Sequence, residues 1–212
     1  MRISRGRPIS CMDRQASIAL IRGHIKDEHL IRHCLATGAV MKHAARHLHE
    51  DEVQWERIGI LHDIDFEEIG GDSKNSESSS RLGILTNPSY MQKHGVVGAE
   101  ILLKEGVDPA EAEIIRRHNH LLHNGTYTQP VEVVLQAADS VSGLVIACGL
   151  VKGGNLSDVS VKTITKKSKE KSFAAGCDRD RIALIAPVIP QPEFYGIALM
   201  GLMEIRGELG LR

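Results

Sequence analysis

A histidine and an aspartate stand side by side where an apolar segment ends, in the stretch GILHDIDFEE at residues 59–68. An imidazole and a carboxylate on a core-facing segment are costly to bury unless they are hydrogen-bonded, paired or bound to a metal. His62 and Asp63 therefore predict polar partners elsewhere in the chain. Apolar helical stripes contain four more such residues, and the full candidate set is His33, His62, Asp63, His94, His118 and Asp139.

Four imidazoles and two carboxylates form a ligand set that suits Mn, Fe, Co, Ni or Zn. The sequence predicts one or two divalent transition-metal ions, with Asp63 as the ligand that bridges two of them. The expected division is a first site of His33, His62 and Asp139 and a second site of His94 and His118. Thiolates are not expected to take part, because the cysteines have no CxxC spacing and are typical of reduced thiols. The four are Cys11, Cys34, Cys148 and Cys177.

Helices predicted from apolar residues at helical spacing must position this set. They cover residues 13–25, 27–48, 51–63, 92–105, 109–119 and 130–151. Asp13 is an N-cap candidate, the second helix is expected to begin at Asp27, and Gly59 leaves room beside His62. Residues 67–90 are rich in Gly, Ser and Asn, which predicts a long loop. Shorter helices are expected in the C-terminal third, at residues 156–171, 178–186 and 190–211.

The composition predicts a single all-α domain with an aliphatic core. The 212 residues are 42% hydrophobic and 25% charged, enough to bury a core, while only 3% are aromatic. The net charge of −1 gives no bias toward nucleic acid or an anionic membrane. No run approaches the ~20 apolar residues of a membrane span, and the basic N-terminus is followed by no apolar segment. These features predict a soluble, cytoplasmic protein.

Five motifs, in order and spacing over roughly residues 15–150, resemble the HD-domain superfamily of metal-dependent phosphohydrolases. They are RHCLATGAVM with His33, LHDID with His62 and Asp63, KHGVVGAEIL with His94, IIRRHNH with His118, and LQAADSVSGL with Asp139. His94 and His118 are similar to the extra ligands of the dinuclear branch. The later segment KSFAAGCDRDRI resembles a subgroup of uncharacterised predicted HD hydrolases. The resemblance implies one HD-domain helical bundle over residues 1–212, with a motif core at about 15–150 and a helical extension at about 153–212.

The resemblance also implies hydrolysis of a small phosphorylated substrate, with a nucleotide as the class that the family suggests. A metal-activated water would attack phosphorus, and His62 and Asp63 would be the catalytic residues. Two alternatives stay open: a di-iron HD-type oxygenase with the same six ligands, and a non-catalytic HD module that binds a nucleotide. The expected partners are the phosphorylated molecule and, as a possible homodimer, a second copy of the chain. Neither nucleic acid nor a membrane is expected.

The residues after the His-Asp pair depart from the family pattern. Many relatives have Gly and Lys after His-Asp-Ile, whereas this chain has Asp65 and Phe66. The phosphate-contacting lysine of those relatives therefore has no counterpart at position 66. Asp65 is predicted either to hold the imidazole N–H of His62 or to cap a helix end or loop.

Three further residues are candidates for contact with the substrate. His120 lies two positions after His118, which places it on another side of a helix, at the rim of the expected site. The lysine-rich segment at residues 162–171 predicts either a solvated face or a phosphate clamp. For the clamp, the best candidates are Lys171 and Arg179.

Overall fold

The computed structural model describes residues 12–70, 87–122 and 125–212. Every regular element over these ranges is a helix and none is a β-strand, which confirms the all-α prediction. In chain order the helices are α1 (Arg14–His24), α2 (Glu28–Leu48), α3 (Glu52–Leu61), α4 (Phe66–Ile69), α5 (Pro88–Met91), α6 (Val96–Lys104), α7 (Pro109–Arg117), α8 (Pro130–Leu150), α9 (Val161–Ser168), α10 (Arg179–Ala183) and α11 (Gln191–Glu204). Single turns of 3₁₀ helix cover His120–Leu122 and Leu156–Asp158.

Aspartate side chains cap the N-termini of several helices, because the first N–H groups of a helix have no acceptor within it. The side chain of Asp13 accepts a hydrogen bond from the N–H of Ala16 in α1, as the sequence predicts, and that of Asp27 accepts one from the N–H of His29 in α2. The helix predicted at 92–105 instead begins at Val96. Gly95, immediately before it, has a φ of 81°, a left-handed conformation that separates α6 from the preceding turn.

The segment predicted as a long loop, residues 67–90, is described only at its two ends. Those ends contain the short helices α4 and α5 rather than loop alone. Residues 71–86 lie outside the described residues, as does Cys11. No disulfide joins the cysteines that the structure describes, namely Cys34, Cys148 and Cys177.

Helices α2 and α3 cross closely where Gly38 faces Gly59. A Cβ atom on Gly59 would lie 2.7 Å from Gly38 Cα, and one on Gly38 would lie 2.6 Å from Ile60 Cγ1. Close-packed interiors do not tolerate contacts this short, so the crossing requires glycine at both positions. The space that Gly59 leaves, predicted to accommodate the imidazole of His62, is occupied instead by the backbone of α2. This crossing sets the distance between the segments that carry His33 and His62.

Helix α8 is a long, apolar helix and carries Asp139. It begins with Pro130 at its first position, behind a capping box formed by Gln129 and Glu132. Among the described helices it alone is long and apolar enough to cross a membrane, with 21 residues and a mean hydropathy of 1.7. However, 72% of that apolar window is buried inside the protein. A helix covered on most sides by other helices is apolar for that reason.

The C-terminal helices pack on the same core as the helices that carry the motifs. Helix α11 packs against α2 and α8, and α9 and α10 pack against α8. Gly201 of α11 lies so close to α2 that a Cβ atom there would be 2.7 Å from the carbonyl O of Ala39. The helix predicted at 156–171 is divided, because Ser160 caps a new helix start at α9. The predicted extension therefore contributes to one continuous hydrophobic core.

Candidate metal centre

Five elements bring the six predicted ligands to one place in the bundle. They are α2 with His33, the end of α3 with His62 and Asp63, the turn before α6 with His94, the end of α7 with His118, and α8 with Asp139. His33 is partly exposed, and the other five are buried. Their ligand atoms form two groups, each with its atoms within 4.8 Å of one another. The first cluster is His33, His62 and Asp139, and the second cluster is Asp63, His94 and His118.

Nitrogen and oxygen atoms converge closely in the first cluster. His33 Nε2 is 3.0 Å from Asp139 Oδ1 and 3.3 Å from His62 Nε2. His62 Nε2 is 3.8 Å from the same oxygen of Asp139. Ligand atoms bound at about 2.0–2.2 Å to one ion lie roughly 3.0–3.5 Å from one another. The first cluster therefore has the spacing of a group of ligands around a single transition-metal ion.

Asp63 connects the second cluster to the first. Its Oδ1 is 3.5 Å from His94 Nε2 and 3.5 Å from His118 Nε2, and those two nitrogens are 2.9 Å apart. The other oxygen, Oδ2, is 3.3 Å from His62 Nε2 and 3.5 Å from His33 Nε2. Asp63 thus presents one oxygen to each cluster, which is the arrangement expected of a bridging ligand.

Hydrogen bonds to the outer ring nitrogens orient the imidazoles. His62 Nδ1 donates to the carbonyl O of Gly59 at 2.8 Å, and His118 Nδ1 donates to that of Ile115. A carbonyl oxygen only accepts, so the proton of each neutral ring is on Nδ1 and the lone pair on Nε2 points into the cluster. Lone pairs and carboxylate oxygens that converge in this way require a cation. This donor set therefore fits a divalent metal ion.

Asp65 is the acceptor for a third ring, that of His94. Its Oδ1 accepts from His94 Nδ1 at 2.9 Å. Its Oδ2 accepts from Gly95 N at 2.7 Å and Gly98 N at 2.9 Å, at the start of α6. The prediction that Asp65 holds His62 is wrong about the partner, because the Nδ1 of His62 donates to a backbone carbonyl instead. Asp65 nevertheless has both kinds of predicted role, since it orients one imidazole and caps one helix.

Burial and two carboxylates set the charge preference of the first cluster. Burial alone lowers the pKa of His62, but the charges and hydrogen bonds of Asp63 and Asp139 outweigh it and raise the pKa to about 10. At His118, burial lowers the pKa, and the neighbouring imidazoles of His94 and His62 add to this effect. The first cluster therefore attracts positive charge, which a metal ion can supply in place of a proton.

Two cavities adjoin the clusters. One, of about 40 Å³, is lined by the residues of the second cluster together with His120, Asp139 and Arg181. The other, of about 310 Å³, lies beside His33 and is also lined by His120, Asp139 and Arg181. His120 therefore lies at the position predicted for it, at the rim of the candidate site.

The other two predicted substrate-contacting residues are not at the site. Lys171 is exposed and lines neither cavity. The guanidinium of Arg179 donates to backbone carbonyls, those of Ser168, Phe173, Ala174 and Cys177. The prediction of Arg179 as part of a phosphate clamp is wrong, because these bonds direct the side chain into its own segment. Lys167 pairs with Glu170 at 2.6 Å, in keeping with the solvated-face interpretation of the lysine run.

Sequence reasoning missed Arg181, which contacts a ligand of the first cluster. Its Nη1 is 2.7 Å from Asp139 Oδ2, and its Nε donates to Gln136 Oε1 at 2.8 Å. The one signal available was its place in the segment KSFAAGCDRDRI, two residues after Arg179. Nothing in local spacing distinguishes the two arginines.

Three other residues that support or adjoin the clusters were also missed. Phe66 is buried with its ring edge-on to that of His94, at a centroid distance of 4.6 Å, so position 66 orients an imidazole rather than contacting phosphate. The side chain of Asn119 donates to the carbonyls of Met91 and His94. The thiol of Cys34 also comes within reach of His62 and Asp63. A buried amide or thiol next to a ligand has no sequence signal of its own.

A helical bundle that buries two imidazole–carboxylate clusters around one shared aspartate is typical of a metal-dependent class of all-α proteins. The model of the HD domain matches residues 30–144, more than half of the chain. The chain therefore belongs to the HD domain family, whose members are generally metal-dependent phosphohydrolases. This confirms the superfamily predicted from the five motifs. Comparisons with curated proteins and with solved structures give no match.

Proposed function

We propose that this protein is a phosphohydrolase that uses one or two divalent transition-metal ions to hydrolyse a small phosphorylated substrate, with a nucleotide as the substrate class. The observation that carries the proposal is the position of Asp63, whose two oxygens face the two clusters. Membership of the HD domain family supports the type of reaction. The cavities beside the clusters supply space in which a substrate can approach.

Six side chains would hold the ions. The first ion would be held by His33, His62 and Asp139, the second by His94 and His118, and both by Asp63. When bound, such an ion supplies Lewis acidity, which lowers the pKa of a water molecule and stabilises charge on phosphoryl oxygens. The ligands suit Fe, Mn, Co, Ni or Zn, and metal availability selects among these ions.

The protein's own groups position and shield the reacting atoms. Hydrogen bonds from Nδ1 hold the rings of His62 and His94 in one tautomer and one orientation. Asp63 is only 2% exposed, so its charge acts in an environment where electrostatic interactions are stronger than in water. Arg181 holds Asp139 Oδ2, which leaves Oδ1 facing His33.

The space beside the first cluster favours a small substrate. The larger cavity, about 310 Å³, is at the lower end of the roughly 300–1,000 Å³ range of ligand pockets. A phosphoester of about mononucleotide size suits this space better than a polymer. Cysteines without a disulfide at all three described positions are in keeping with action in a reducing cytoplasm.

The substitution Asp63→Ala tests the proposal, because it removes the ligand shared by both clusters. We expect loss of bound metal by elemental analysis and loss of phosphate release from a panel of nucleotides and generic phosphoesters. Asp158→Ala, at an exposed aspartate remote in sequence from every ligand, is the matched control. The proposal is wrong if the wild type, reconstituted with Mn, Fe, Co or Ni, releases phosphate from no member of the panel.

A further inference from the structure

We propose that Arg181 binds a phosphoryl oxygen of the substrate, so that the C-terminal extension completes the active site. This inference rests on the proposed phosphohydrolase function and names the side chain that would recognise the anion. Arg181 lies in α10, beyond residues 30–144, which match the HD domain. The group that binds phosphate would thus come from outside the segment that defines the family.

Arg181 lies against both the metal centre and the larger cavity. Its Nη1 is 2.7 Å from the Oδ2 of Asp139, a residue of the first cluster. Its side chain lines the 40 Å³ cavity beside Asp63 and also the 310 Å³ cavity beside His33. Of the described residues around the smaller cavity, it alone lies beyond residue 144. An arginine at this junction adjoins the place where a phosphoryl group would approach the ligands.

The guanidinium of Arg181 retains a donor that the described residues leave unpaired. Nε donates to Gln136 and Nη1 pairs with Asp139, and these two bonds fix the plane of the group. Nη2 is buried and has no hydrogen-bond partner within the described part of the chain. Buried donors in native proteins are normally satisfied, and a guanidinium has five N–H donors in a planar fork that matches phosphate. A phosphoryl oxygen would supply both an acceptor and the opposite charge.

The contrast with Arg179 shows that this arrangement is not a general property of the segment. Arg179 directs its nitrogens at backbone carbonyls and lines neither cavity. Its role is to hold the chain that precedes α10. Arg181, two residues further along the chain, reaches across to α8 and the first cluster.

Other residues of the larger cavity indicate the chemical class of the ligand. His120 lines both cavities and adds a polar group near Arg181. Leu121 also lines the larger cavity and is 59% exposed, so it presents an apolar surface at the opening. These surfaces fit a small phosphomonoester whose phosphoryl group meets Arg181 and whose organic part lies against Leu121.

Binding of inorganic phosphate to the metal-loaded protein tests the role of Arg181 without depending on catalysis. Arg181→Gln removes the charge but keeps a side chain that can hydrogen-bond. We expect the phosphate affinity, measured by isothermal titration calorimetry, to fall about 10-fold or more while the metal content stays unchanged. Arg206→Gln is the matched control, because Arg206 is exposed and donates to the carbonyl of Met203 in its own segment.

Unchanged phosphate affinity in metal-loaded Arg181→Gln would overturn the inference. If that variant loses metal, the phosphate affinity of Arg181→Lys is measured instead. Lysine keeps a positive charge beside Asp139 but lacks the planar guanidinium fork. Weaker phosphate binding by metal-loaded Arg181→Lys supports the inference, and wild-type affinity overturns it.

The role of Arg181 and the phosphohydrolase function are contradicted by different results. Substrate hydrolysis with unaltered phosphate binding in the variants contradicts only the role of Arg181, whereas phosphate binding through Arg181 without any hydrolysis contradicts only the phosphohydrolase.

Discussion

The Nε2 atoms of His94 and His118 lie 2.9 Å apart, and in neutral rings neither atom carries the proton. Each ring has its proton on Nδ1, which donates to Asp65 in one case and to the carbonyl of Ile115 in the other. Two lone pairs at this distance repel each other unless both share a cation. Asp65 and the carbonyl of Ile115, which accept the Nδ1 protons, therefore fix which ring nitrogens of the second cluster are available to bind a metal ion.

Asp65→Asn should weaken metal binding at the second cluster. An asparagine has one acceptor oxygen, so it cannot serve His94 and the N–H groups of Gly95 and Gly98 together. We expect metal affinity to fall about 10–100-fold, as for other groups that orient metal ligands. The free energy of unfolding of the metal-free protein should fall by about 1–3 kcal/mol. Competitive metal titration and chemical denaturation measure the two effects.

The control for this prediction is Asp158→Asn, since Asp158 is exposed and its side chain accepts from Asn155 within its own turn. That variant should match the wild type in metal affinity. Wild-type metal affinity in Asp65→Asn would show that the orientation of His94 does not depend on this carboxylate.

Gly59→Ala and Gly23→Ala form a matched pair with opposite expected signs. A Cβ atom on Gly59 would lie 2.8 Å from Gly38 N, so α3 must move away from α2, at a cost of about 1–3 kcal/mol. A Cβ atom on Gly23, in α1, meets nothing within 4 Å, and alanine there should stabilise the helix by up to about 1 kcal/mol. Thermal unfolding measures both. Equal effects of the two substitutions would contradict the close crossing.

The convergence of the six candidate ligands could be predicted from the sequence, because each is a polar residue within or directly beside an apolar helical segment. A buried imidazole or carboxylate needs a partner, and the apolar stripes direct these residues, or the helix ends that carry them, toward the core. The helix starts were predictable for a local reason too, since Asp13 and Asp27 supply acceptors to N–H groups within the next few residues.

The contacts that support the ligands could not be predicted, because they depend on how separate helices meet. Asp65 was expected to serve His62, three residues away, but it accepts from His94. Arg181 and Arg179 are of the same type and lie in the same segment, yet only Arg181 contacts a ligand of the first cluster. Such pairings are set by tertiary packing, which a periodic pattern in one segment does not encode.

Glu204→Gln should cost stability at neutral pH but not in acid. Glu204 on α11 accepts from Lys42 at 2.6 Å and His43 at 2.7 Å on α2. The hydrogen bond from Lys42, followed by that from His43, lowers the pKa of Glu204 from 4.5 to about 2. Because the folded-state pKa is depressed, the stabilisation is present above about pH 4.5 and is lost as the pH falls through about 2.

The expected size of the Glu204 effect is under about 1 kcal/mol, because a side chain 42% exposed is screened by solvent. Urea denaturation of the wild type and the variant at pH 7 and at about pH 3 measures it, with the difference smaller at the lower pH. Glu193→Gln is the control, since its carboxylate is 3.7 Å from His47 and makes a weaker contact. A difference that grows as the pH falls would contradict the prediction.

The double substitution His94→Ala with His118→Ala should abolish metal binding at the second cluster and leave metal binding at the first cluster unchanged. The two rings supply the nitrogen ligands of the second cluster, whereas His33, His62 and Asp139 do not depend on them. We expect elemental analysis of the purified variant to show the loss of one ion relative to a wild type loaded at both clusters. His29→Ala with His47→Ala, at two exposed histidines, is the matched control and should keep the wild-type metal content.

Loading the wild type with different metals distinguishes hydrolysis from oxygenation, because the two reactions require different properties of the bound ion. Hydrolysis needs Lewis acidity and an activated water, so Mn or Co should support it without oxygen. An oxygenase needs iron that changes oxidation state and consumes dioxygen with each turnover. We therefore expect the wild type loaded with Mn or Co to release phosphate under anaerobic conditions, with no substrate-dependent oxygen uptake in air. Oxygen consumption coupled to product formation in the iron form alone would establish the oxygenase in place of the hydrolase.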